Sequence, residues 1–210
     1  MAALFIPGWA ARASLYRNAL PPGWEVLQPP SFRSTGGAIE AYPAWLSDEL
    51  ARRTGPFTLG GHSFGAALAV LAAVRGDADV ERLVLVEPAG LPLCKPMNRA
   101  LRDFGRQLVT GVYPVAPAAA SVVTTLAAPR AALRLARGVY MLDLSSELAV
   151  LRDRGVACTV LSAASDTLTP PAHCRKVAEL AGGEFEELAV GGGHVWFLVA
   201  APQLRLRLAG

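Results

Sequence analysis

Apolar runs of strand length alternate with longer amphipathic stretches along most of the chain, the rhythm of a parallel sheet flanked by helices. Residues 2–6, 25–28, 57–60, 83–87, 156–161 and 185–190 read as six strands. Val84, Leu85 and Val86 are continuously hydrophobic, as expected of a parallel strand covered on both faces. Helices are expected over 14–20, 37–54, 64–75, 171–181 and 195–207. In the second of these, Ile39, Tyr42, Leu46 and Leu50 recur at the spacing of one buried face.

Between about residues 90 and 143 the alternation stops, and the segment reads as two or three helices with no strand. Met97, Leu101, Phe104 and Leu108 follow a 4-3-4 spacing that makes one apolar stripe, while Arg99, Arg102, Asp103 and Arg106 fall away from it. An insert of this length after a central strand is expected to lie over the carboxyl edge of the sheet as a helical lid. The expected organisation is a core of 1–90 and 143–210 with a lid of 91–142. Neither an internal repeat nor a low-complexity linker is visible.

Composition narrows the class. The 210 residues are 52% hydrophobic and 18% charged, which suits one compact domain. Twenty basic against seventeen acidic residues leave +3, with no basic block to track a phosphate backbone, so nucleic acid is not the expected partner. Cys94, Cys158 and Cys174 are an odd, widely spaced set, which argues against a disulfide framework or a zinc site and for a reducing compartment, the cytoplasm. The first ten residues carry no basic segment and are interrupted by Pro7, so they do not read as a secretory signal. Residues 107–129 are long and uncharged enough to span a membrane, but Gly111, Pro114 and Pro117 break the run and argue against insertion.

The chemistry concentrates at Gly61-His62-Ser63-Phe64-Gly65, a G-x-S-x-G pattern placed directly after a strand and before a helix. A chain turning that sharply is crowded around the serine, and small residues on either side relieve the crowding. A serine hydroxyl needs a base to become nucleophilic. Three histidines are available. His62 adjoins the serine and should point away across the turn, and His173 lies within a helix as an expected surface residue. His194 follows a strand and the run Gly191-Gly192-Gly193, on the edge that also displays Ser63, and is the expected base. An imidazole in that role needs an acid. Asp166, in the loop after strand 156–161, is the first candidate, and Glu87 at the end of strand 83–87 is the reserve.

With the order Ser63, Asp166, His194 in place, essentially the whole chain resembles an α/β-hydrolase, of the compact, cofactor-free esterase and thioesterase type that carries a His-Gly-Trp motif after an early strand. Here that segment is Phe5-Ile6-Pro7-Gly8-Trp9, with proline where the family often has histidine. The resemblance implies an oxyanion hole formed by the backbone N–H groups of Trp9 and Phe64. It also implies that the two usual N-terminal strands are absent, leaving six and making strand 25–28 an edge, kept short by Pro29 and Pro30.

The implied reaction is acyl transfer to water from a carboxylic ester or thioester with a small or medium apolar acyl group. No cofactor or metal is implied. Met97, Leu101 and Phe104 of the stripe, together with Trp196, are candidates to contact substrate, and Met141 is a further one. The same scaffold also hosts C–C bond hydrolases, lactonases and perhydrolases, and a non-catalytic small-molecule receptor would lack the need for all three of Ser63, Asp166 and His194. A dinucleotide enzyme would need a glycine-rich first turn, which Pro7-Gly8-Trp9 does not supply. Nothing in the residues indicates the oligomeric state.

Overall fold

The computed structural model describes residues 2–76, 78–93, 95–110 and 115–209, and within the helices near residues 107–121 some side chains lie outside that description. Six strands form one parallel sheet: β1 (Ala2–Ile6), β2 (Trp24–Val26), β3 (Phe57–His62), β4 (Val80–Val86), β5 (Ala157–Ala163) and β6 (Glu184–Leu188). Their order across the sheet is β2-β1-β3-β4-β5-β6, with every pairing parallel. β2 pairs only with β1, so it is the short edge expected before Pro29 and Pro30.

The strand pleat feeds two separate cores. Leu4, Ile6, Leu83, Leu85 and Val160 point to one face, while Phe5, Val84, Val86, Leu161 and Ala163 point to the other. The first face is covered by the short helix α1 (Phe32–Thr35) and by α2 (Ala41–Ala51), α3 (Phe64–Arg75), α7 (Ser145–Arg154) and α8 (Pro171–Ala181). The second is covered by Leu15 and Tyr16, the turn Gly193–Leu198, and α9 (Ala201–Ala209). α3 is built largely of alanine, glycine and valine, and nine of its twelve residues are buried. Small side chains let this helix lie close against the centre of the sheet.

Three helices, α4 (Met97–Thr110), α5 (Val115–Leu126) and α6 (Pro129–Tyr140), lie between β4 and α7, and among the described residues of 91–142 there is no strand. The long uncharged stretch is therefore divided between α4 and α5, with 111–114 outside the described residues. Among the described residues no helix is long and apolar enough to cross a membrane.

The local readings needed four corrections. Residues 14–20 make a single 3-10 turn, Ala13–Leu15, instead of a helix; seven residues scarcely repay helix nucleation, and Leu15 and Tyr16 are drawn into the core. The helix expected from residue 37 starts at Ala41, because Gly36 and Gly37 both sit at positive φ. The stretch 195–207 splits, since Val195 leaves helical geometry and Pro202 lacks the N–H needed to continue a preceding helix, so α9 begins beside it. Finally, α1 and α7 lie where no helix is expected; α7 ends at Gly155, which takes the left-handed φ of 67°.

Candidate active site

Ser63 stands between β3 and α3 with φ 53° and ψ −117°, a conformation few non-glycine residues adopt. The surrounding glycines explain how the turn fits. A Cβ on Gly65 would lie 2.0 Å from the Ile6 carbonyl oxygen, and one on Gly61 would lie 2.4 Å from that of Gly65. The turn is tied to the neighbouring strand end: Ser63 N–H donates to the Val86 carbonyl at 2.9 Å, and Ala89 N–H donates to the Ser63 carbonyl at 3.1 Å. Ser63 itself is half-buried and faces a cavity.

Asp166 and His194 are brought together by the loops after β5 and β6. Ser165 clamps the two loops, donating to the Val190 carbonyl at 3.0 Å and accepting from Gly193 N–H at 3.1 Å. His194 Nδ1 lies 2.8 Å from Asp166 Oδ2, with both side chains buried. A carboxylate only accepts, so Nδ1 carries the proton and Nε2 is the ring atom that can receive one. Asp166 is further held by Leu168 N–H at 2.7 Å and the Thr169 hydroxyl at 2.9 Å. Burial alone would raise its pKa. The charge of His194, with hydrogen bonds from His194 and Leu168, outweighs burial and holds it at about 2. Asp166 is therefore an anion at neutral pH.

Glu87, the reserve acid, directly follows β4, and its carboxyl group accepts from the Ser162 hydroxyl and Ala163 N–H of β5. It is fully buried, and burial together with the charge of Asp166 pushes its pKa up to about 10.

His62 has a role the sequence did not suggest. Its ring belongs to a buried relay. Its Nε2 is 2.8 Å from the His194 carbonyl, which can only accept, so Nε2 bears the proton and Nδ1 accepts from the Tyr16 hydroxyl at 2.8 Å. Tyr16 in turn accepts from Gly8 N–H at 3.1 Å. Burial, followed by the nearby His194, lowers the His62 pKa to about 3, which keeps the ring neutral for both bonds. His173 is half-buried instead of at the surface, with Nε2 3.2 Å from the Pro88 carbonyl. That contact links α8 to the segment after β4.

The loop after β1 runs against the serine turn. A Cβ on Gly8 would lie 2.9 Å from His62 Nδ1 and 3.3 Å from Ser63 Cβ. No acceptor for Trp9 N–H is present among the described residues. Phe64 opens α3, so its N–H has no intrahelical acceptor. The Trp9 indole donates to the Ala132 carbonyl at 3.2 Å and packs edge-on against Phe104, joining this loop to α6 and α4.

Ser63 and His194 both line a cavity of about 110 Å³, whose wall includes Trp9 and the stripe residues Met97, Leu101 and Phe104. Trp196 does not line it. The tight 3-10 turn sends Val195, Phe197 and Leu198 toward the cavity, whereas Trp196 is wholly buried in the second core. Met141 also lies off the wall and is 66% exposed. The Leu108 side chain and Cys94 lie outside the described residues. Cys158 and Cys174 are buried free thiols, and burial pushes Cys158 up to about 12. Among the described residues no cluster of three or more His, Cys, Asp or Glu side chains could hold a metal ion.

A strand–serine–helix turn beside a buried Asp–His pair, on the carboxyl edge of a parallel sheet, defines an α/β-hydrolase arrangement. The sequence profile of the alpha/beta hydrolase family matches residues 3–205, and the chain belongs to that family of enzymes. No curated protein sequence matches it. Among solved structures it is similar to an esterase from Exiguobacterium antarcticum, at 15% identity and a TM-score of 0.78, covering 100% of this chain and 91% of that one. A lipase-esterase related protein from Clostridium acetobutylicum aligns at 12% identity and a TM-score of 0.77, covering 99% of this chain and 92% of that one. The thioesterase domain of the curacin biosynthetic pathway aligns at 21% identity and a TM-score of 0.65, covering 99% and 90%. At these identities the likeness is one of fold.

Proposed function

We propose that the protein is a serine hydrolase that cleaves a carboxylic ester or thioester of a small or medium apolar acyl group through an acyl-enzyme. One observation carries this reading: the buried Asp166–His194 hydrogen bond fixes the tautomer that leaves Nε2 basic, and His194 shares its cavity with the strained Ser63.

In this mechanism Ser63 attacks the carbonyl while His194 takes its proton, and Asp166 stabilises the imidazolium. The N–H groups of Trp9 and Phe64 bind the oxyanion; losing one such donor costs about 3 kcal/mol of transition-state stabilisation. His194 then protonates the leaving alcohol or thiol and activates the water that releases the acid. The helices of 91–142 act as the lid, and the apolar wall formed by Met97, Leu101 and Phe104 supports an apolar acyl group.

The test is covalent labelling with a fluorophosphonate, run beside hydrolysis of p-nitrophenyl esters and acyl thioesters. Wild type should label and turn over, and Ser63→Ala should do neither while remaining folded. Turnover by Ser63→Ala within tenfold of wild type would refute the assignment.

A further inference from the structure

The loop after β1 borders two cavities, and the proposed reaction uses only one of them. The first, of about 110 Å³, holds Ser63 and His194. The second, of about 240 Å³, is lined by the buried side chains of Phe32, Tyr42, Phe64 and Leu135. Arg12 and Thr124 complete part of its wall, the Arg12 Nε–H donating to the Thr124 hydroxyl at 3.3 Å. Among the described residues Trp9 and Ala11 line both cavities, and of these two only the tryptophan has the bulk to divide them.

The indole ring is held from several sides. It meets Phe104, a wall residue of the first cavity, edge-on with ring centroids 5.4 Å apart. It meets Phe32, a wall residue of the second, at 5.6 Å. Its Nε1–H donates to the Ala132 carbonyl of α6 at 3.2 Å. Turning the ring aside would give up both aromatic contacts and the hydrogen bond, so the wall is a stiff one.

The chemistry says which part of a substrate meets this wall. A leaving group has to lie beside His194, which protonates it, and His194 lines the first cavity and not the second. The acyl group extends from the same carbonyl carbon in another direction. It takes the remaining apolar space of the first cavity, which Trp9 and Phe104 help to bound.

We propose that Trp9 is a specificity-determining residue for acyl length: its indole ring closes the active-site cavity against the second cavity, so that short and medium acyl chains fit and longer ones meet the ring. The second cavity is acyl space that the wild type keeps shut. The role rests on the hydrolase reading above. It belongs to the side chain alone, since the N–H proposed to bind the oxyanion is backbone and is kept by alanine.

The experiment compares wild type, Trp9→Ala, Thr124→Phe and the double variant on p-nitrophenyl butanoate, octanoate and dodecanoate. These esters share the reacting carbonyl and the leaving group, so damage to the oxyanion loop slows all three alike and the ratio of their kcat/KM values isolates the acyl chain. Trp9→Ala should raise the dodecanoate-to-butanoate ratio at least tenfold. Thr124→Phe fills the second cavity from α5 and should leave the wild-type ratio within twofold. The double variant should lose the gain. A rise below tenfold in Trp9→Ala, a gain that survives Thr124→Phe, or a ratio moved by Thr124→Phe alone overturns the proposal.

A second measurement needs no turnover. On a Ser63→Ala background, calorimetry with the sodium salts of the acids should show Trp9→Ala tightening dodecanoate at least tenfold more than butanoate; equal changes overturn the proposal as well. Should Trp9→Ala fail to fold, Trp9→Leu carries the same expectations. If wild type hydrolyses no ester and takes no fluorophosphonate at Ser63, the hydrolase reading fails instead, and calorimetry still decides whether Trp9 closes one cavity against the other.

Discussion

The imidazole of His62 holds the backbone of His194: its Nε2–H donates to the His194 carbonyl across 2.8 Å. The residue next to the serine thus anchors the chain that carries the proposed base. From its other nitrogen the same ring reaches Tyr16 and, through Tyr16, the Gly8 N–H of the loop beside Ser63. Both ends of the proposed catalytic machinery are therefore fastened to one neutral ring.

Acid should loosen this anchor. The folded-state pKa of His62 is lowered from 6.5 to about 3, so the unfolded chain binds the proton first as pH falls. The contribution is intact above pH 6.5 and is lost on descending toward pH 3, with a slope of about 1.4 kcal/mol per pH unit. His62→Gln should flatten the pH dependence of denaturant stability over that window. A slope unchanged by the substitution would show that His62 is not the group responsible. The same variant should also lower kcat, because the His194 carbonyl and the Tyr16 hydroxyl lose a shared partner.

Strain at Ser63 predicts a trade between activity and stability. A side-chain-bearing residue at φ 53° and ψ −117° costs about 1–3 kcal/mol, and glycine relieves most of it at a loss of about 1 kcal/mol through the unfolded chain. Ser63→Gly should be inactive, yet melt at or slightly above the wild-type Tm. A Tm lower than that of Ser63→Ala would contradict the strain.

The close approach at Gly65 makes the opposite prediction. A methyl group there would overlap the Ile6 carbonyl and push β1 off the start of α3. Gly65→Ala should lose about 1–3 kcal/mol of stability in urea unfolding, and the proposed ester hydrolysis should fall further than its folded fraction. Wild-type values for both would mean that the turn has room to spare.

Phe104 and Trp196 should separate specificity from packing. Phe104→Ala opens the cavity wall and should raise the ratio of octanoate to butanoate ester hydrolysis. Trp196 is buried away from the wall, so Trp196→Ala should cost about 3–5 kcal/mol of stability and leave that ratio unmoved. Chain-length profiles and melting curves of the two variants check this directly; a shifted ratio in Trp196→Ala would bring that residue back to the substrate.

Local signals made much of this molecule legible. The strand, Ser63 and the helix after it are contiguous, and the flanking Gly61 and Gly65 announce a crowded turn. The central strands were readable from apolar runs such as residues 83–86, whereas the edge strands β2 and β6 carry glutamates. The pairing of Asp166 with His194 was reachable from chain order and strand-end placement, and the structure brings the two to 2.8 Å. Trp196 misled because a tryptophan two residues after His194 looks close to the site, and sequence distance says nothing about which side of a 3-10 turn a ring takes.

Amino-acid order alone determined the alternation of elements, the parallel sheet and the residue types able to do the chemistry, since each of these depends on neighbours within a few positions. Only tertiary structure decided the burial of Glu87, the anchoring work of His62 and the composition of the cavity wall. Those properties depend on desolvation and on partners from distant parts of the chain: Glu87 meets Ser162 and Ala163, and His62 meets Tyr16 and His194. A carboxyl group or an imidazole is the same chemical object anywhere in a sequence, and the surroundings built around it by folding fix its proton.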